Sequence, residues 1–479
     1  MSVVILTFLL FVAGFAAIGL LAIRRRTATT DDYLVAGRSV SPWLTGLSSA
    51  ATNNSGFMFI GLLGFTYRFG VQAIWLQTGW IVGDLIAWLW VHQRVRAVSG
   101  ERGAASVPTL LATDRDGRIT RPIAVAAGVL TFLFLAGYAA AQLKAGSTAL
   151  TALFGWAPEI GILLGIVIVV AYCFSGGLRA SIWTDAAQAL VMVGSLGALL
   201  AFAMIEVGGP GALWQSLERA DPSLVTWFPD GLAFGFALYA LGFVFGGLGV
   251  IGQPHILIRS MAIRSSDDIP RARNVYFAWF VPFSAAAVLV GLYGRVLLPD
   301  LLAGVPPEQA SVAAESSLPS LAVLLLPKVL LGALLAGVFA ATMSTADSQI
   351  LSCSAAITQD IAPKLRTSYA ASKVATLAVA ALALTIALTA PQSVFSLVLG
   401  AWSALGASLG PLLIVRLLGW PLPAPRAIVM MASGIATVFL WGRSSYAGDI
   451  FELLPGMAVP VLVYAAAVVL DRVRGNVRT

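Results

Sequence analysis

Leu47-Ser-Ser-Ala-Ala-Thr-Asn-Asn-Ser-Gly56 falls inside a run that hydropathy reads as a membrane span, yet it consists almost wholly of small and amide-bearing residues. In hydrocarbon every unsatisfied backbone group costs several kcal/mol, so such a run implies backbone that leaves the helix and lines a polar site. A ligand or an ion belongs there. The surrounding chain is 59% hydrophobic and 11% charged, with a mean hydropathy of +0.90 over 479 residues, and a soluble surface needs far more charge.

A span needs about 20 apolar residues. Divided at its charged and proline-rich breaks, the chain gives thirteen candidate helices, beginning near residues 2, 43, 71, 122, 158, 181, 231, 275, 322, 372, 394, 426 and 454. The first lacks a basic leader and has Arg24-Arg25-Arg26 after its apolar run, which reads as a retained span, not a cleaved signal. Cytoplasmic loops carry the excess of Lys and Arg. With the N-terminus outside and the C-terminus in the cytoplasm, that side collects all of the 29 basic residues except Arg68, Lys144, Arg219, Arg295, Lys328 and Arg443. The expected location is the plasma (inner) membrane of a bacterium, with lipid as surroundings.

A net charge of +7 and a pI near 9.6 do not indicate nucleic acid, because the bases are spread over short loops and topology accounts for them. Cys173 and Cys353 both sit in apolar helical context and form no disulfide framework. His92 and His255 are too far from other ligand types to suggest a metal centre. The longest polar stretch runs from about 92 to 121, so function is expected within the helices and no obligate protein partner is evident.

Phe245-Gly-Gly-Leu-Gly-Val-Ile-Gly-Gln-Pro254 is a second interruption, with four glycines and a proline weakening the span that starts near 231. Interruptions at corresponding positions of two halves point to a transporter built from inverted repeats, with its site at the midplane. Spans two to six and seven to eleven each make a five-helix unit, and an odd count inverts the second unit relative to the first. The expected fold is therefore all-α and integral to the membrane. Its parts are an extra helix over 1–30, repeats over 31–210 and 211–420, and two final helices over 421–479.

Ala341-Thr-Met-Ser-Thr-Ala-Asp-Ser348 forms a third polar constellation within an apolar run. An Asp in a span is costly. The hydroxyls of Ser344, Thr345 and Ser348 gather with Asp347 within about two helical turns, which suits a hard cation taking oxygen ligands. Sodium is the natural candidate, and the chemistry alone leaves a proton open.

These residues resemble the sodium/solute symporter family, most closely its sodium/proline branch, over roughly 31 to 417. The resemblance rests on Asp31-Asp-Tyr-Leu-Val-Ala-Gly-Arg38, the Leu47–Gly56 stretch, Ser175-Gly-Gly-Leu-Arg179 followed by Trp183-Thr-Asp-Ala-Ala-Gln188, Gly252-Gln-Pro-His-Ile256, and Met343-Ser-Thr345 followed by Ser354-Ala-Ala-Ile-Thr358. It implies an amino-acid-transporter-like core of five-plus-five repeats, alternating access, and Na+ as the coupling ion without an organic cofactor. By the same resemblance, carbonyls of Ala51, Asn54 and Ala341 and the hydroxyls of Ser344 and Thr345 hold sodium, and Asp185 sits on the inner exit route; Asp347 and Ser348 join it as an exit route or second ion site by their position in the same polar stretch. Solute contacts are expected from Asn53, Ser55 and Gly56 and from Gly246, Val250 and Pro254. The chain departs from the proline branch at Asn53, where that branch has Asp, and at Gly246 and Val250, where it has aromatics. Asp347 is a candidate to restore the missing charge.

Competing readings differ at particular residues. The run at 48 to 55 is also what a close helix–helix interface needs. Gly247-Leu-Gly-Val-Ile-Gly252 matches a dinucleotide fingerprint but follows no strand. Asp84 reads as a buried partner for a polar neighbour or as a proton site, and Asp185 as a cap or a partner of Arg179. Signatures of hydrolases and phosphate loops are absent, so an enzyme is not expected. The expected function is sodium-coupled import of a small polar or zwitterionic solute, most simply an amino acid such as proline. Proton-coupled symport or a facilitator on the same fold is the alternative.

Overall fold

The computed structural model describes residues 2–389 and 394–473, and within them the chain is helical, with two isolated β-bridges. The principal helices are α1 (Ser2–Ala22), α2 (Pro42–Asn53), α3 (Gly56–Phe59), α4 (Gly61–Phe69), α5 (Ile74–Glu101), α6 (Val107–Ala112), α7 (Arg121–Phe154) and α8 (Pro158–Val207). After them come α9 (Gly235–Leu248), α10 (Pro254–Ala262), α11 (Ile269–Leu297), α12 (Lys328–Ala355), α13 (Tyr369–Thr389), α14 (Val394–Leu417), α15 (Ala424–Trp441) and α16 (Leu453–Val473). Among the described residues, 11 helical runs are long and apolar enough to cross a membrane. Their outward faces suit lipid: Ile205 is 79% exposed and Leu440 70%, which an aqueous surface would not carry in such number.

Two of those runs are far longer than one crossing requires, namely Gly56–Glu101 with 46 residues and Pro158–Val207 with 50. A straight helix of the latter length would reach about 75 Å against a hydrocarbon core of about 30 Å. It is not straight. Gly177 breaks it at φ 56°, ψ −146°, a conformation that favours glycine, and a Cβ there would lie 2.4 Å from the carbonyl of Tyr33.

Both sequence interruptions are real breaks. α2 stops at Asn53, Asn54 adopts φ −99°, ψ 72°, and the Ser55 side chain caps the next turn by accepting from Phe57 N. The cause is local. Asn54 donates to the Ala50 carbonyl through both its backbone N (3.1 Å) and its Nδ2 (2.9 Å), the competition with the helix that short polar side chains offer. The second break runs through a tight turn at Gly249–Gly252 and restarts at Pro254, where a missing N–H costs nothing.

The core is built around α12, every residue of which from Leu334 to Ala355 is buried. It packs against α8, α7 and α1. α5 and α9 approach backbone to backbone: a Cβ on Gly83 would lie 1.9 Å from the Val244 carbonyl, and one on Gly247 2.1 Å from the Trp80 carbonyl. Small residues permit such contact in a membrane, where dispersion must hold helices together.

Candidate functional site

The break between α2 and α3 frees carbonyls from their helical donors. Gly56 N, which a continuous helix would turn to Thr52, instead donates to Gln142 Oε1 of α7 at 3.1 Å. The released oxygens meet α12. Ser344 Oγ lies 3.1 Å from both Ala51 O and Ala341 O, and Thr345 Oγ1 lies 3.0 Å from both Thr52 O and Ala341 O. Each hydroxyl has one hydrogen, so it serves one carbonyl at a time and keeps lone pairs for a cation. Three carbonyls and two hydroxyls form a neutral, all-oxygen cradle of the kind a hard monovalent cation takes.

Four of the five expected sodium residues, Ala51, Ala341, Ser344 and Thr345, thus come together. Asn54 stands beside them, and the hydroxyls of Ser344 and Thr345 reach the carbonyls of Ala51 and Thr52 in place of its own. The Thr52 carbonyl was not foreseen, although a helix end leaves its last carbonyls without donors.

Next to the cradle lies a fully buried ionic cluster. Asp185 Oδ2 accepts from Ser48 Oγ at 2.7 Å, Thr52 Oγ1 at 3.3 Å and Arg259 at 3.0 Å. Asp347 accepts from Tyr172 OH at 2.7 Å, Ser181 Oγ at 2.9 Å and Ser348 Oγ at 2.7 Å. Arg259 also donates to Ser48 and Ser181, at 3.2 and 3.1 Å, and to Ser348. Sequence reasoning counted Arg259 among the basic residues of a cytoplasmic loop, but its side chain is fully buried. It lies on α10, within the interrupted span. Arg179 pairs with Asp32 at 2.5 Å, and the partner of Asp185 is Arg259. Thr52 Oγ1 lies 3.4 Å from Ser348 Oγ, which joins cluster to cradle.

A small cavity of about 30 Å³ opens beside the break, lined by Asn53, Asn54 and Ser55 and walled by Trp80, Tyr138, Phe280 and Trp402. The expected solute contacts separate here. Asn53 and Ser55 face the cavity; Gly56 stands behind it, bonded to Gln142. Gly246 lies under Trp80, whose ring a Cβ would approach to 2.7 Å, and its carbonyl accepts from Trp402 Nε1 at 2.9 Å. Val250 is buried away from the lining, and Pro254 borders a different cleft with Ser106 and Ser352. Aromatic walls therefore come from α5, α7, α11 and α14, and Gly246 makes room for them.

Asn53 reaches away to α5 and α11, its Nδ2 donating to Asp84 Oδ2 at 3.1 Å and to Tyr276 OH at 2.5 Å. Asp84 is thus the carboxylate beside Asn53, while Asp347 is engaged in the ionic cluster.

A model of the family described as "Sodium:solute symporter family" matches residues 33–421. The chain is 31% identical over 462 residues to a sodium/proline symporter of Escherichia coli, covering 94% of this chain and 90% of that one. It is 30% identical over 454 residues to a high-affinity proline transporter of Bacillus subtilis, covering 91% and 92%. Among solved structures, a substrate-bound, outward-open Na+-coupled sialic acid symporter superposes with a TM-score of 0.78 at 21% identity, covering 96% of each chain. A nucleobase-cation-symport-1 family transporter superposes at 0.56 with 15% identity. These two likenesses concern the fold.

Proposed function

The chain belongs to the sodium:solute symporter family, a family of membrane transporters that move a solute with sodium, and we propose that its solute is proline or a close zwitterionic relative. The observation that carries this reading is the cradle: Ser344 and Thr345 of α12 meet carbonyls of the very segment whose next residues line the cavity. An ion held there fixes the Asn53–Ser55 backbone in the shape that receives solute. Solute in turn stabilises the shape that holds the ion, a reciprocal coupling worth about 1–3 kcal/mol.

The proposed sodium ligands are the carbonyls of Ala51, Thr52 and Ala341 with the hydroxyls of Ser344 and Thr345, Asn54 setting the break. Asp185, Asp347 and Ser348 line the route by which the ion leaves or a second ion enters. The lining has the chemistry for a small zwitterion with an apolar ring once the cavity widens to admit it: hydroxyls at Ser55 and Tyr138 for the charged groups, and Trp80, Phe280 and Trp402 for the ring. The names of the bacterial relatives favour proline and placement in a bacterial plasma membrane.

The reading counts thirteen spans, because the 50-residue run holds two crossings on either side of Gly177, and the 46-residue run holds α5 together with the second half of a span that α2 begins. Spans two to six (31–210) and seven to eleven (211–420) form the inverted repeats, preceded by the helix of 1–30 and followed by two helices over 421–479. The N-terminus lies outside and the C-terminus inside. Sodium bridging α2 and α12 ties together parts that rock in alternating access, driven inward by about 2.3 kcal/mol per charge per 100 mV.

Uptake of labelled proline into proteoliposomes, with an inward sodium gradient or with choline in its place, tests the reading. Accumulation with sodium and none with choline is expected; equal uptake in both would overturn sodium coupling, and none in either would overturn the solute.

A further inference from the structure

We propose that Asp84, Asn53 and Tyr276 form a second site for a monovalent cation, sharing no residue with the Ser344/Thr345 cradle. The inference rests on the reading of the chain as ion-coupled and deepens it.

Asp84 lies in the middle of α5 and is fully buried. Its Oδ2 accepts from the Tyr276 hydroxyl and from Asn53 Nδ2. Its Oδ1 has no partner among the described protein groups, and neither has Oδ1 of Asn53. The two unpartnered oxygens belong to the two residues that already touch. An ionised carboxylate in such surroundings carries a desolvation penalty of several kcal/mol, which neutral donors on one oxygen do not offset.

No neighbouring element supplies the balancing charge. α11 offers Tyr276. α2 offers only the Asn53 amide, and α9 meets the adjacent Gly83 with backbone and Gly247. Arg259 of α10 is engaged by Asp185, and His92, two turns along α5, stacks on Trp88 at 4.1 Å and bonds Ser260 Oγ at 2.6 Å through Nδ1. None of the five ion pairs among the described residues includes Asp84.

A bound cation resolves both deficits. A proton on Asp84 Oδ1 makes an acid whose O–H has Asn53 Oδ1 as an acceptor, opposite the existing Nδ2-to-Oδ2 bond. A dehydrated sodium ion takes the same two oxygens as ligands, and the two cations share this chemistry: one positive charge, hard oxygen donors, no thiol or imidazole. Because Asn53 also lines the solute cavity, a cation that ties its Oδ1 to Asp84 holds that residue in place beside the solute.

The test counts ions on the purified full-length protein. Radioactive sodium binding is measured at equilibrium, and proton exchange on adding sodium chloride is followed with a dye in weak buffer. Wild type is compared with Asp84→Asn, Tyr276→Phe and Thr345→Val. If sodium fills the site, wild type binds one ion more than Asp84→Asn. If a proton fills it, sodium counts are equal, wild type exchanges one proton per chain across a pH midpoint, and Asp84→Asn exchanges none. Tyr276→Phe keeps the ring and carboxylate and shifts the sodium affinity or the midpoint by about tenfold, which keeps the test open should Asp84→Asn fail to fold. Unchanged sodium count, proton exchange and midpoint in a folded variant would overturn the proposal. Failure of the underlying ion-coupled reading shows differently, as a wild type that binds no sodium and a Thr345→Val variant identical to it.

Discussion

The hydroxyl of Thr345 lies 3.0 Å from the carbonyl of Thr52, a contact between residues 293 positions apart that fastens the buried stretch of α12 to the open end of a broken helix. Neither residue is charged. Their meeting depends on Asn54 ending α2 and on Gln142 drawing off the amide of Gly56.

Replacing Thr345 with Val keeps the shape and removes the oxygen. A hydrogen bond or ligand to a charged group contributes about 1.5–3 kcal/mol, so half-maximal uptake will require about ten- to hundredfold more sodium. Uptake against sodium concentration measures it, with proline affinity at saturating sodium close to wild type.

Removing one member of a buried ion pair strands the other, at about 3–5 kcal/mol. Arg259→Gln alone will therefore lower the thermal midpoint of the purified protein severely. Arg259→Gln with Asp185→Asn will recover part of the loss, a coupling that a double-mutant cycle reads directly.

Gly83→Ala places a methyl 1.9 Å from the Val244 carbonyl, which is backbone and has no flexible end to move. Overpacking of this kind costs about 1–3 kcal/mol. Gly14→Ala, where nothing lies within 4 Å, serves as the control and will raise the thermal midpoint slightly or leave it in place, since Ala favours a helix over Gly.

Glu315, in the connection between α11 and α12, follows Ala314, whose backbone packs on Gly64 of α4. Burial pushes its carboxyl up from 4.5 to about 7. A carboxyl raised in the folded state favours the fold most while protonated, so its contribution is complete below about pH 4.5 and is lost as pH rises through 7. Thermal midpoints measured from pH 5 to 8 will fall less steeply in Glu315→Gln than in wild type, and the two curves will diverge most at the alkaline end.

The breaks at Asn54 and Gly249–Gly252 were legible because local side chains cause them: amides and hydroxyls that compete with the helix, and glycines before a proline. The Ser344/Thr345 half of the cradle was legible for a related reason, as hydroxyls at consecutive positions in an apolar run have few other uses. Arg259 was not. A charge-counting rule assigns every arginine near a helix end to a loop, and only the tertiary structure reveals that Asp185 receives it inside. The aromatic walls escaped as well, because Trp80 and Trp402 are about 320 residues apart and meet over a glycine, so a residue chosen for its lack of a side chain is the sole local sign. Partners of Asp84 and Asp185 were hidden for the same reason: pairing in a bundle is set by which helices adjoin, and no spacing along the chain records that.

The burial of α12 bears on how the protein is made. This helix carries Asp347 and several hydroxyls through the most enclosed position in the bundle, and alone in lipid those groups would lack partners. Thr52, Tyr172, Ser181, Asp185 and Arg259 all precede it in the chain. A ribosome releasing the polypeptide from its N-terminus delivers each of these receptors into the bilayer before the helix that needs them, so the costliest segment emerges into a ready-made berth. Moving α12 ahead of α8 by circular permutation would remove that advantage and leave the mature contacts intact.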